Sequence, residues 1–166
     1  MFGLTLLGII HTAISLIAVG AGLIALLRNG AITPRDTTGK TYVITTVVTC
    51  LTGFGIFQHG GFGKPHILGV MTLLVLGVAW FAARGRFGRL SPYVETVSYS
   101  ATFLFHLIPG VTETVTRLPP GAPLLSSQEA PELQTAAGIL FILFLAGATV
   151  QVLRMRMKSG NVPKAA

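Results

Sequence analysis

Five apolar runs, each about as long as a bilayer is thick, constrain this chain more than any other feature. They cover residues 4–27, 42–58, 66–83, 92–108 and 136–153. At about 1.5 Å of rise per residue, each crosses or nearly crosses a hydrocarbon layer of roughly 30 Å as a helix. Composition agrees: 51% of residues are hydrophobic and 10% charged, against about 25% charge in a soluble domain. The reading is an all-α membrane protein, a single domain over residues 1–158 with a disordered tail at 159–166. Its bundle holds five transmembrane helices, the N-terminus outside and the C-terminus cytoplasmic. The fourth run is the least apolar, with Glu95, Thr96, Ser98, Ser100 and Thr102, so it is expected to face protein rather than lipid.

The basic residues set the orientation. Arg28, Arg35 and Lys40 lie between runs one and two, and Arg84, Arg86 and Arg89 between three and four. Arg154, Arg156, Lys158 and Lys164 follow run five, leaving only Lys64 and Arg117 at the other face. Ten of the twelve basic residues thus share one side, which the positive-inside rule makes cytoplasmic. The isoelectric point near 10.4 is therefore a topology signal and gives no case for nucleic acid. The first run lacks a basic leader and a small-residue cleavage site, and reads as a retained span. Residues 111–135, containing LPPGAPLLSSQEAPEL, read as an irregular external lid or short surface helix.

All four histidines fall in one layer. The distance to the basic residue at the cytoplasmic end of the same run is 17 residues for His11, 19 for His59, 18 for His66 and 17 for His106. As helices, those depths differ by only about 3 Å. The helical faces carry the pattern further. Glu95, Tyr99, Thr102 and His106 form one stripe, which Glu113 joins if the helix passes Pro109. His11 shares a face with Ser15, Ala18 and Gly22, and His66 with Gly69, Leu73 and Gly77. Thr45, Thr49, Thr52 and His59 share another. Small and hydroxyl residues line helix–helix contacts in lipid, so the imidazoles are expected to point inward.

Imidazole ligates zinc, copper and haem iron. The layer therefore marks His11, His59, His66 and His106 as candidate ligands for a haem b or a copper or zinc ion, with Glu113 adding an oxygen. In the QHGGFGKPHILG corner, His66 begins a helix and is the better ligand, while His59 ends one and is the better proton acceptor. Glu95, Tyr99 and Thr102 form a candidate proton relay, although Glu95 is expected to pair first with Arg89. Cys50, the only cysteine, excludes an intramolecular disulfide and a cysteine metal site, and is expected to be inert. Trp80 is expected to anchor the cytoplasmic interface. No HExxH, phosphate loop or nucleophile triad is present.

Two stretches, PRDTTGKTYVITTVVTCLTGFGIFQHGGFGKPHILGVMTLLVLGVAW and FLFHLIPGVTETVTRLP, resemble small bacterial inner-membrane proteins known only as predicted membrane proteins. The first loop is also similar to a domain-of-unknown-function family with an HRxxG(R/K)xY signature. Gly39, Lys40 and Tyr42 match that signature, while Arg35 and Asp36 stand at its His-Arg positions. The resemblance implies a polytopic membrane protein and no particular activity. Three functions remain open. One is electron transfer through a histidine-bound cofactor, with a quinone or another membrane protein as partner. The second is a small transporter or proton-coupled carrier, and the third a non-catalytic membrane subunit, with a second copy of the chain also a candidate partner.

Overall fold

The computed structural model describes residues 5–57 and 61–160. Among them the protein is all-helical, with five α-helices and a single 3-10 turn at Gly88–Leu90. The helices are α1 (Leu6–Asn29), α2 (Thr37–Gly53), α3 (Lys64–Ala83), α4 (Ser91–Arg117) and α5 (Pro131–Gly160). Their ends follow from local chemistry. Thr5 caps α1 by accepting from the Gly8 amide, and Gly30 closes it in the left-handed conformation with φ 70°, where a side chain would be strained. Asp36 caps α2 by accepting from the Gly39 amide at 2.7 Å.

Three helices, not five, are long and apolar enough to cross a membrane: α1, α3 and α5. The two exceptions have different causes. Helix α2 stops at Gly53 and is only 17 residues long, with threonine at seven of its positions. Helix α4 has ample length but carries buried Ser91, Glu95, Tyr99, Ser100, Thr102 and His106. These polar side chains are withdrawn from the surroundings, while α1, α3 and α5 turn leucine, isoleucine and phenylalanine outward. Such an arrangement suits a lipid solvent, where interior positions take the polar groups.

The packing explains the small residues. Helices α1 and α2 share the most extensive contact, followed by α3 with α4. On α1 the buried face is Gly8, Ala18, Ala21, Gly22 and Ala25. A Cβ on Gly22 would meet Phe103 at 2.6 Å and Tyr42 at 2.9 Å, so α1 comes close enough to touch side chains of both α2 and α4. At Gly39 a Cβ would stand 1.8 Å from the Thr33 carbonyl oxygen, and only glycine lets the loop cross the start of α2.

Two boundaries depart from the expected loops. Helix α4 runs unbroken through Pro109 to Arg117, so the connection to α5 is residues 118–130 and not 111–135. It folds back on α4, with the Leu125 amide donating to the Val115 carbonyl at 3.0 Å. Helix α5 continues to Gly160, into the stretch expected to form a tail, and residues 161–166 lie outside the described residues. Gln151 ties α5 to the bundle: its Oε1 accepts from the Ser100 hydroxyl and its Nε2 donates to the Gly30 carbonyl, both at 2.9 Å.

Candidate functional site

A polar seam joins α2 to α4. Three side-chain bonds link α4 to α2 and to the loop just before it, and every pair is separated by 60 positions. Arg35 Nη2 donates to Glu95 Oε2 at 2.8 Å, Tyr42 Oη meets Thr102 Oγ1 at 2.8 Å, and His106 Nε2 meets Thr46 Oγ1 at 3.0 Å. A constant offset requires that the helices run parallel, with matched positions facing each other along their length. The stripe of Glu95, Thr102 and His106 is thus answered, residue for residue, by Arg35, Tyr42 and Thr46.

The bond between Tyr42 and Thr102 also has a direction. The Thr102 hydroxyl donates to the Tyr99 carbonyl at 2.8 Å. Its lone pairs are then what Tyr42 meets, and the phenol donates. Thr46 lies one helical turn beyond Tyr42 on the same face of α2 and bonds to His106 Nε2 at 3.0 Å, with the donor set by the histidine tautomer. His106, Thr46, Tyr42 and Thr102 thus form a buried polar row, bonded at His106–Thr46 and at Tyr42–Thr102 with one helical turn between the two bonds. Below it, the Tyr99 phenol lies within electrostatic reach of Glu95 and Arg35. Glu95 itself is only 5% exposed, and its second oxygen, Oε1, has no hydrogen-bond partner.

The other end of the seam gathers His11 and Glu113. His11 Nδ1 lies 3.1 Å from Thr52 Oγ1. That hydroxyl already donates to the Val48 and Thr49 carbonyls, so it accepts from Nδ1–H and leaves Nε2 as the basic nitrogen. The charges of His11 and His106 are close enough to interact, as are those of His11 and Glu113. Glu113 is held by an ion pair to Arg117 and a 3.1 Å bond from Gln128 Nε2. On the same helix as Thr46 and Thr52, the hydroxyl of Thr49 is buried without a partner.

The remaining candidates are placed differently. His66 accepts from the Gly63 amide through Nδ1 at 3.2 Å, closing the start of α3, and its ring packs between Phe57 and Phe62, each 5.0 Å away. Its Nε2 is buried without a partner. His59 lies outside the described residues. Among the described residues, no three histidine, cysteine, aspartate or glutamate side chains come together to hold a metal ion. The partner expected for Glu95 was Arg89, but Arg35 takes that place. Arg89 sits exposed in the 3-10 turn, whereas Arg35 precedes α2 at the matching level of the seam. Cys50 is buried as a free thiol. Trp80 is half exposed and stacks under the Arg84 guanidinium, 3.3 Å from the ring centre.

Arg35, Tyr42 and Thr46 are the site residues that sequence reading missed. Tyr42 and Thr46 are both fully buried, on the face of α2 next to the expected Thr45–Thr49–Thr52 face. A buried tyrosine four residues before a threonine on a short, threonine-rich helix was the available signal.

Fold and site together define an all-helical protein with three helices able to cross a membrane and a polar seam within the bundle. Compared with known proteins, the chain matches no family model, no curated protein and no solved structure.

Proposed function

We propose that the chain is a small proton-coupled carrier of the bacterial inner membrane. All five helices cross the bilayer, with the N-terminus outside, and the α2–α4 seam carries protons between Glu95 at the inner end and the His11–Glu113 pair at the outer end. The buried polar row of His106, Thr46, Tyr42 and Thr102 is the observation that supports this most. In this reading His106 takes a proton from protonated His11 at one ring nitrogen and releases one from Nε2. The hydroxyls of Thr46, Tyr42 and Thr102 each take one and release another as they turn, and the Tyr99 phenol passes the last to Glu95 beside Arg35. The basic residues that flank the cytoplasmic ends of the runs in the sequence, the end at which Glu95 lies, support the orientation. A polar α2 and α4 fit the same topology, because their polar faces are turned to each other and to the interior.

A redox role for the histidines draws on one further observation, the proximity of His11 and His106. Those two rings would hold a haem b or a copper or zinc ion at the outer end, with Glu113 beside them. The visible spectrum and metal content of the purified protein separate the two readings.

The direct test is proton movement in liposomes containing only this protein, followed with an internal pH-sensitive dye after an imposed pH step. Flux above that of protein-free liposomes, and its loss in Glu95→Gln, supports the proposal. Flux equal to that of empty liposomes overturns it.

A further inference from the structure

We infer that the cleft at the arginine-rich end binds a small zwitterion in which a primary ammonium lies a few bonds from a phosphate or carboxylate. The cleft holds about 420 Å³ between the end of α3, the 3-10 turn, the start of α4 and Met155 of α5, a size typical of small-molecule sites. Arg35, Ser91, Glu95 and Thr96 supply its polar lining, and Ala82, Ala83 and Pro92 part of the rest.

Glu95 dictates what the inner part of the cleft accepts. Oε2 is bonded to Arg35, but Oε1 is buried and has no partner. An unpaired buried carboxylate oxygen is costly, and a ligand N–H is the group that satisfies it. Arg35 dictates the opposite group. Its Nη1 donates to Thr33 Oγ1 and its Nη2 to Glu95, yet the side chain is 66% exposed, so the guanidinium has donors to spare for an anion. Exposed Arg84, Arg86 and Arg89 are chain neighbours of the cleft-lining Gly85 and Gly88 in the segment between α3 and α4.

That charge pattern excludes the simpler ligands. A bare cation is repelled by the arginines, and a bare anion is repelled by Glu95. A molecule with its ammonium inward on Glu95 and its anion outward on Arg35 satisfies both. The same chemistry occurs in a free aminocarboxylate or phosphoethanolamine and in the headgroup of an ethanolamine phospholipid. The inference does not rest on the proton path, because binding is read at equilibrium with no gradient.

The test is calorimetric titration of the purified full chain in detergent with phosphoethanolamine, glycine and phosphocholine. Mass spectrometry of the intact protein reads retained ethanolamine and choline lipids in parallel. Phosphocholine has no N–H, so its binding is expected to be at least about tenfold weaker than that of phosphoethanolamine. Binding of the soluble zwitterions supports a free ligand, and selective retention of ethanolamine lipid without it supports a headgroup. Equal affinity for the choline and ethanolamine compounds overturns the inference, as does no binding of either form. Glu95→Gln should remove the discrimination, and the wild-type comparison stands without it should that variant fail to fold. Proton flux that persists alongside failed binding would discard this site and leave the proposed function in place.

Discussion

The phenol of Tyr42, fully buried, donates to the hydroxyl of Thr102 at 2.8 Å, 60 positions further along the chain. The ion pair of Arg35 with Glu95 lies below this contact and the bond between Thr46 and His106 above it, at the same separation. Two parallel helices are thus held in register by polar side chains, with the Tyr42 ring also packed against Phe103 of α4. In lipid, where apolar contact discriminates little between alignments, such bonds fix register as well as stability.

Thr46→Val keeps the shape of the side chain and removes its hydroxyl. His106 Nε2 is then left buried and unpaired, so the variant is expected to lose about 1–3 kcal/mol. Denaturant unfolding in detergent reads the loss. Thr45→Val is the control, since that hydroxyl bonds only carbonyls of its own helix, and it is expected to change stability by less than Thr46→Val.

Glycine positions make a second prediction. Gly39→Ala puts a methyl into the Thr33 carbonyl oxygen, and backbone cannot give way as a side-chain tip can. A loss of about 1–3 kcal/mol or more is expected. Gly20→Ala, with nothing within 4 Å of the added carbon, is expected to be stabilising by up to about 1 kcal/mol, because alanine restricts the unfolded chain. Thermal melts of the two variants check the contrast, and equal melts would contradict it.

Gln151 predicts how α5 is attached. It spans Ser100 on α4 and the Gly30 carbonyl that ends α1. Gln151→Leu removes both bonds and is expected to cost about 1–2 kcal/mol. Hydrogen exchange should then rise at α5 and at the end of α1 while α2 stays protected.

For the histidines, the purified protein is expected to show no reducible Soret band and no stoichiometric copper or zinc. His66→Ala is expected to fold with a loss of about 1–3 kcal/mol, from the lost bond to the Gly63 amide and the emptied space between Phe57 and Phe62. A haem spectrum abolished by that change would return His66 to the role of ligand.

Much of α4 was legible in the sequence, because a 3.6-residue period places Glu95, Tyr99, Thr102 and His106 on one face whatever surrounds them. All four are buried. Its partners were not legible. Which helix meets that stripe, and at what offset, depends on packing between segments 60 residues apart, and no local pattern encodes it. Arg89 was the nearer base to Glu95 in sequence, yet Arg35 reaches it because the loop before α2 lies at the level of the start of α4. A proline just after the fourth apolar run marks an expected helix end, but Pro109 sits inside α4, which gains two further turns and brings Glu113 within electrostatic reach of His11. The equal depth of the histidines followed from counting. It did not convey that His66 would be taken up by its own helix start while His11 and His106 came near each other.

The central claim is that protons pass through the seam, and the most direct measurement is proton flux in liposomes with Tyr42→Phe. That change removes one oxygen from the middle of the series, keeps the ring, and leaves Glu95, His106 and Glu113 untouched. The account predicts a flux at least about tenfold below wild type, a penalty of the size seen when one proton-transfer group is lost, in a protein that remains folded. Wild-type flux through the folded Tyr42→Phe protein would contradict it.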